Sequence, residues 1–318
     1  MKNGRDKGRQ SRRRQALIFL ILILSAHSAQ VFSDSSPTSA KIKIVTSIFP
    51  LKEFAEAVSG DRGEASLLLP PGAEVHTWQP RPSDIVRLAS SDLLIYIGAN
   101  LEPWLEEMLK GIPKPNFRTL ETSRGLSLIN RSGEKKDSSH SRAVDPHIWL
   151  DFSYDQIIVD RIRDLLTEIE PGYAAQFARN ADLYKRRLQN LDEKFRTGLQ
   201  NCGQRVFILG GHEAFGYLAK RYQLDQISLY GLSPDSEPTP KQVMEVIELA
   251  KKYRMKAIYF ELFVSDRLAK MVAKEIGAKI LVLNPADILS KKQLMSGVTF
   301  FDIMEENLKN LKDGLSCN

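Results

Sequence analysis

The most constraining feature of the sequence is an alternation of short β-branched runs with amphipathic stretches, which occurs twice along the chain. The strand-like runs lie at 42–49, 65–69, 93–97 and 117–120, and again at 206–209, 226–230, 257–260 and 279–283. The helical stretches between them lie at 51–58, 82–90 and 101–110, and again at 213–222, 240–253, 265–276 and 301–311. This alternation is typical of βαβ units around a mostly parallel sheet. The sequence therefore predicts an α/β protein with two sheets, each flanked by helices.

A nearly continuous helical pattern separates the two series. It runs from Tyr154 to about Leu199 and is interrupted only at 170–172. The second part has apolar residues at helical spacing over about 25 residues, a length of ~37 Å at 1.5 Å per residue. We therefore expect an N-terminal lobe over 34–153, a rigid linking helical segment over 154–200 and a C-terminal lobe over 201–318. A helix is a stiff connection, so a large hinge closure is not expected.

Residues 1–33 have the pattern of a secretory signal peptide. A cationic stretch precedes the apolar run Ala16–Leu24, and small residues follow at 25–29. The apolar run is well short of the ~20 residues that span a bilayer. The pattern allows cleavage after Ser28, Ala29 or Ser33. We predict a protein that is soluble and periplasmic once this segment is removed.

The same segment contains the whole formal net charge of +6. It has one acid, Asp6, against seven cations: Lys2, Arg5, Lys7, Arg9, Arg12, Arg13 and Arg14. The remaining chain is neutral overall, whereas nucleic-acid binding depends on a basic face on the folded body. The charge distribution therefore argues against a nucleic-acid partner.

Two cysteines, Cys202 and Cys317, are present in the chain. An oxidising compartment would allow them to form one disulfide. Two free thiols remain an alternative, because the sequence does not distinguish between the two states.

Histidine is scarce, and three of the five histidines stand at informative positions. His76 ends a turn after a strand-like run, His147 lies just before the long helical stretch, and His212 follows a Gly-Gly pair after another strand. Parallel sheets bind ligands at the carboxyl ends of their strands, and zinc accepts imidazole nitrogen readily. The three are 71 and 65 residues apart. Spacing alone therefore leaves scattered, unrelated histidines as an alternative to a joint metal site.

Five separated blocks resemble the zinc/manganese solute-binding proteins of ABC transporters. They occur in order from about residue 42 to the C-terminus: Lys43–Pro50, Pro71–His76 with Arg81–Asp84, Asp145–Asp151, Gly211–Tyr217 and Gly231–Lys241. The family has a two-lobed α/β fold with a long linking helix, which agrees with the alternation described above.

This resemblance implies that His76, His147 and His212 bind the metal in a cleft between the lobes. It also implies a fourth ligand after the last strand, where this chain has Asn284. An amide oxygen binds a cation more weakly than a carboxylate, so a water molecule is the alternative at that position. Glu261 is a further candidate for a nearby carboxylate ligand, although a solvated or ion-paired strand end is the simpler interpretation.

Three histidines favour Zn²⁺ over Mn²⁺, because manganese prefers more oxygen ligands. The resemblance implies a non-enzymatic, monomeric protein that delivers transported zinc to an ABC-transporter permease. A manganese- or iron-type binding protein, or an adhesin of the same fold, is the alternative within this fold. A three-histidine zinc hydrolase or lyase, with Glu213 or Glu261 as the base, is the alternative from another class.

Overall fold

A computed structural model describes residues 40–112, 117–130, 144–232, 238–263 and 265–318. Residues 41–318 form one compact unit. The signal peptide predicted over 1–33 lies outside the described residues. Among the helices that are described, none is both long and apolar enough to cross a membrane.

The first sheet consists of four parallel strands in the order β2-β1-β3-β4. Its strands are β1 (Ile42–Thr46), β2 (Gly63–Leu67), β3 (Leu93–Tyr96) and β4 (Arg118–Glu121). Its helices are α1 (Phe49–Ser59), α2 (Pro82–Ala89) and α3 (Leu105–Lys110). The β1 strand is shorter than predicted because Pro50 occupies the first turn of α1, a position where its fixed φ favours helix.

The linking segment has two helices, α4 (Phe152–Ile169) and α5 (Ala174–Gln200), with a short 3₁₀ turn at Pro171–Tyr173 between them. The carboxylate of Asp151 accepts a hydrogen bond from the Ser153 backbone N–H and so caps α4. The predicted interruption near residue 170 and the length of the second helix are both confirmed.

The second sheet repeats the strand order of the first, as β6-β5-β7-β8, again all parallel. Its strands are β5 (Val206–Leu209), β6 (Asp225–Ser228), β7 (Ala257–Phe260) and β8 (Lys279–Val282). Its helices are α6 (Gly216–Arg221), α7 (Pro240–Lys252), α8 (Arg267–Ile276), α9 (Lys291–Ser296) and α10 (Phe300–Leu315). The predicted fold class is confirmed, whereas α9 was not predicted.

One hydrophobic core extends through both halves of the molecule. It includes residues of both sheets and of α1, α4, α5 and α10, and a smaller cluster lies under α7 and α8. The last helix touches both halves, because the Phe300 N–H at its start donates to Glu53 of α1 at 2.6 Å. The lobe boundaries at 153 and 201 remain a prediction.

Cys202 and Cys317 form a disulfide. The bond joins the segment just after the end of α5 to the segment just after the end of α10. Of the two alternatives that the sequence leaves open, the structure therefore shows the bridged one.

Candidate metal centre

The fold brings His76, His147 and His212 together. One ring nitrogen from each lies within 4.8 Å of the other two, and the three ring centroids are 5.0–5.6 Å apart. His147 and His212 are fully buried, and His76 is half-buried. The hypothesis of scattered histidines is therefore wrong.

The closest pair of nitrogens has a spacing suited to a tetrahedral metal ion. Nε2 of His147 and Nε2 of His212 lie 3.1 Å apart. Two nitrogens bound to tetrahedral zinc at 2.0–2.1 Å are separated by about 3.3 Å. Nε2 of His76 is buried and has no hydrogen-bond partner among the described residues. A divalent ion would satisfy all three nitrogens at once.

A carboxylate stands behind each of the two buried histidines. Oδ1 of Asp145 lies 2.8 Å from Nδ1 of His147 and also accepts the His147 backbone N–H at 3.0 Å. Oε2 of Glu261 lies 2.7 Å from Nδ1 of His212. Carboxylates in this position fix the ring orientation and make the opposite nitrogen a stronger metal ligand.

The structure thus places Glu261 beside Nδ1 of His212 and outside the group of three converging nitrogens. It is buried, 2% exposed, at the carboxyl end of β7. Of the simpler interpretation given above, the solvated strand end is therefore wrong, whereas the ion-paired one agrees with the contact to His212. The geometry gives Glu261 a positioning role, and a direct bond from Glu261 to the metal stays a prediction.

The Gly-Gly pair before His212 makes this approach possible. A Cβ atom on Gly211 would lie 1.8 Å from Oε1 of Glu261, and one on Gly210 would lie 2.5 Å from Cβ of Ala269. A larger residue at 210 would collide with α8 and the β7 backbone, and one at 211 would collide with the Glu261 side chain beside His212.

His212 lies before a helix, but not at its first turn. The helical pattern at 213–222 predicts a helix from Glu213, directly after His212. The helix begins instead at Gly216. Burial opposes protonation, but Glu261 outweighs it, with Asp287 and Glu74 adding to the effect, and the pKa of His212 is raised to about 9. The predicted start of the helix is therefore wrong, and the carboxylate of Glu261 favours the protonated ring of His212.

The other two histidines are held neutral. Burial, together with the two neighbouring imidazoles, lowers the pKa of His76 to about 2. Burial also lowers the pKa of His147, against the opposing effect of Asp145. A neutral imidazole is the form that binds metal.

Asp287 is a buried acid that was not predicted from the sequence. It is 8% exposed, and within the part of the chain that the structure describes its Oδ2 has no hydrogen-bond partner. Burial and the nearby Glu74 raise its pKa to about 7, while His212 opposes this shift. Asp287 follows β8 by five residues, so an acid after the last parallel strand was the available signal. The resemblance pointed to Asn284 instead.

The side chain of Asn284 has another partner. Its Oδ1 accepts the Ala286 backbone N–H at 2.8 Å, while its backbone N–H and C=O both bond the amide of Asn307. The Asn284 amide oxygen is thus engaged within its own loop, and its role as the fourth metal ligand stays a prediction.

Aromatic side chains close the surroundings of the site. The Trp149 ring is fully buried, 5.2 Å from the His147 ring. Tyr217 of α6 donates its hydroxyl to the Asp145 carbonyl at 2.8 Å. Trp78 and Trp104 pack edge to face at 4.6 Å. Trp149 therefore packs directly against one of the three histidines, while Trp78 and Trp104 pack against each other.

The sequence is similar to a known protein family and to proteins named for zinc binding or zinc uptake. The family described as zinc-uptake complex component A, periplasmic, matches residues 44–314. The high-affinity zinc uptake system protein ZnuA of Bacillus subtilis is 35% identical over 306 residues, covering 94% of this chain and 95% of that protein. The zinc-binding protein AdcA of Streptococcus pyogenes is 32% identical over 316 residues, and the alignment covers 94% of this chain but 61% of that protein.

A solved structure shares the fold. The zinc(II)-bound ZnuA-like domain of Streptococcus pneumoniae AdcA superposes with a TM-score of 0.74 at 34% identity, over 87% of this chain and 99% of that domain. The chain thus corresponds to one domain of the longer streptococcal proteins and to nearly the whole length of the Bacillus protein.

Proposed function

The chain belongs to the zinc-uptake complex component A family, and we propose that it binds one zinc ion outside the cytoplasm and delivers it to an ABC-transporter permease. The observation that supports this proposal most directly is the convergence of three imidazole nitrogens within 4.8 Å of one another. Zinc is the cargo of the protein, which performs no chemistry on it.

We infer that His76, His147 and His212 are the zinc ligands and that Asp287 supplies the fourth. Three nitrogen donors and one carboxylate suit zinc better than manganese, which prefers oxygen ligands. The unpartnered Oδ2 of Asp287 and its electrostatic interaction with His212 support this choice.

Asp145 and Glu261 have a supporting role. Each holds the Nδ1 side of one ligand histidine, so that Nε2 points toward the other ligands. Because the rings are already oriented before metal arrives, little ordering is needed on binding, and pre-organisation of this kind raises affinity.

A zinc hydrolase or lyase would need three histidines and a water position beside a base. Glu261 is engaged with His212, which removes it from the role of a general base beside such a water. The family is a component of an uptake complex, not a family of enzymes. Binding without turnover is therefore the function that the site supports best.

The export of the protein is part of the proposal. The apolar run and cationic start of residues 1–33 support a cleaved signal peptide and a periplasmic mature protein. The zinc-loaded protein would dock on the permease through the rims of both lobes.

Calorimetric titration of the metal-free mature protein tests the proposal. We expect one zinc per chain, and we expect His76→Ala, His147→Ala and His212→Ala each to weaken binding by at least a hundredfold. His140→Ala is the matched control, because it removes a histidine that is not one of the three, and it should bind like the wild type. If all four variants bind zinc equally well, the site assignment fails.

A further inference from the structure

Residues 284–290, which we call the latch loop, connect β8 to α9. Every residue from 284 to 289 is buried, although loops normally run over the protein surface. A buried irregular segment must find partners for its backbone polar groups. The partners of this loop lie in both halves of the molecule.

Two bonds join the latch loop to the first half. The Trp149 indole Nε1–H donates to the Pro285 carbonyl at 2.6 Å. The Gly72 backbone N–H donates to the Leu289 carbonyl at 3.0 Å. Trp149 is two residues after His147, and Gly72 is four residues before His76. The loop therefore contacts both segments that carry the histidines of the first half.

Asn307 of α10 anchors the latch loop to the second half. Its Oδ1 accepts the Asn284 N–H at 2.9 Å, and its Nδ2 donates to the Asn284 carbonyl at 2.7 Å. Asn307 is 2% exposed. The Asn284 side chain then holds Ala286, whose φ of +68° lies in the left-handed region that alanine rarely adopts. The shape of the loop is thus set from its first residue.

We propose that the latch loop couples the two histidine segments of the first half to the second half, so that zinc release requires its bonds to break. Trp149 and Asn307 are positioning residues in this scheme: Trp149 bonds the latch loop to the first half, and Asn307 bonds it to the second half. The proposal rests on the proposed function only in naming zinc as the ion released.

Trp149→Phe tests the latch, because it keeps an aromatic ring beside His147 and removes the N–H donor. We expect zinc release, measured by stopped-flow competition with a chelator, to become about tenfold faster, since one buried carbonyl loses its partner. The number of zinc ions bound per chain should stay at one.

Trp104→Phe is the matched control. The Trp104 indole donates to the Val75 carbonyl at 2.8 Å, so this variant also removes an indole bond next to a ligand histidine, but within the first half. It should release zinc within about twofold of the wild-type rate. If both variants accelerate release equally, the latch is refuted and a general loosening near the histidines explains the effect.

Hydrogen exchange of the metal-free protein gives a readout that does not depend on zinc. In Trp149→Phe, the Gly72 amide should exchange about tenfold faster, although Trp149 does not bond to Gly72. Asn307→Asp, which removes the donor to the Asn284 carbonyl, should have the same effect and serves if Trp149→Phe does not fold. Unchanged Gly72 exchange in a folded variant would overturn the latch. If the Gly72 amide exchanges faster in the variants as expected, but the wild-type protein does not bind zinc, the proposed function is refuted and the latch is not.

Discussion

Nε2 of His212 lies 3.1 Å from Nε2 of His147, while the Nδ1 atom of each ring faces its own carboxylate. With His147 neutral and its Nδ1–H donated to Asp145, its Nε2 is an acceptor. His212, whose pKa is raised to about 9, then donates its Nε2–H across the pair. In the metal-free protein this proton occupies the line between two of the proposed ligands.

Zinc binding should therefore release at least one proton at pH 7, because His212 must lose its Nε2 proton to bind the ion. The affinity should fall about tenfold per pH unit below pH 9, rather than only below the ordinary histidine pKa of about 6.5 that the sequence suggests. Calorimetric titration in two buffers of different ionisation enthalpy counts the protons. Zinc binding at pH 7 without any proton release would contradict the assignment of this proton to Nε2 of His212.

The metal-free protein should lose stability between pH 7.5 and pH 9. The folded pKa of His212 is about 9 against 6.5 when unfolded, so its contribution is complete below pH 6.5 and is lost as the pH rises through 9. The loss over this window is about 1.5 kcal/mol in the free energy of unfolding. Glu53, Glu102 and Asp287, whose pKa values burial raises to about 7, are mostly ionised above pH 7.5 and change little there. Urea unfolding at several pH values, with a chelator present, measures how the free energy of unfolding depends on pH.

Glu261→Gln tests whether the pair of His212 and Glu261 causes this pH dependence of the free energy of unfolding. Without the carboxylate, the pKa of His212 should fall, and the stability should become nearly flat over pH 7.5–9. Zinc affinity should also fall by about 10–100-fold, as for other residues that orient metal ligands. Glu275→Gln removes a half-exposed surface glutamate paired with Lys251 at 2.9 Å and should change neither property. A slope that survives in Glu261→Gln would show that another group causes it.

The sequence predicted the fold well because strands and helices depend on local periodicity. The strands Val206–Leu209 and Ala257–Phe260 begin and end where the pattern placed them. The missed helix α9 is six residues long, too short for an apolar repeat to stand out. Its signal was the capping box of Ser290 with Gln293.

The site was harder to predict, because its geometry depends on tertiary contacts. His76 and His212 were found by their positions after strands, and the resemblance added His147 to them. The shifted pKa of His212 was not predicted, since nothing local to His212 indicates that Glu261, 49 residues later, lies 2.7 Å away. Asp287 was missed for a related reason: its burial and its electrostatic interaction with His212 depend on how the latch loop folds.

Two reciprocal substitutions show whether Asp287 or Asn284 is the fourth ligand. Asp287→Asn should weaken zinc binding by about 10–100-fold, because a neutral amide replaces a carboxylate. Asn284→Asp should leave the affinity within about threefold, since its Oδ1 faces the Ala286 N–H. Competition with a zinc indicator measures both. Tighter binding by Asn284→Asp, together with little effect of Asp287→Asn, would restore Asn284 as the ligand.

The disulfide should stabilise the fold without contributing to metal affinity. Cys202 and Cys317 are 115 residues apart, and cross-linking a loop of about 100 residues removes much of the entropy of the unfolded chain. The Cys202→Ser/Cys317→Ser double variant should lose about 2–4 kcal/mol in the free energy of unfolding. Urea unfolding of the metal-free protein measures this loss.

Zinc affinity of the same variant is the second measurement, and it should stay within about twofold of wild type. Neither cysteine contacts a proposed ligand, and the α10 residue that holds the latch loop, Asn307, keeps its own bonds to Asn284. The hydrogen bonds from the Gly203 and Gln204 N–H groups to the Ser316 and Leu315 carbonyls also remain to hold the end of α10. A large loss of zinc affinity without loss of stability would mean that the position of α10, and with it the latch loop, depends on the bridge.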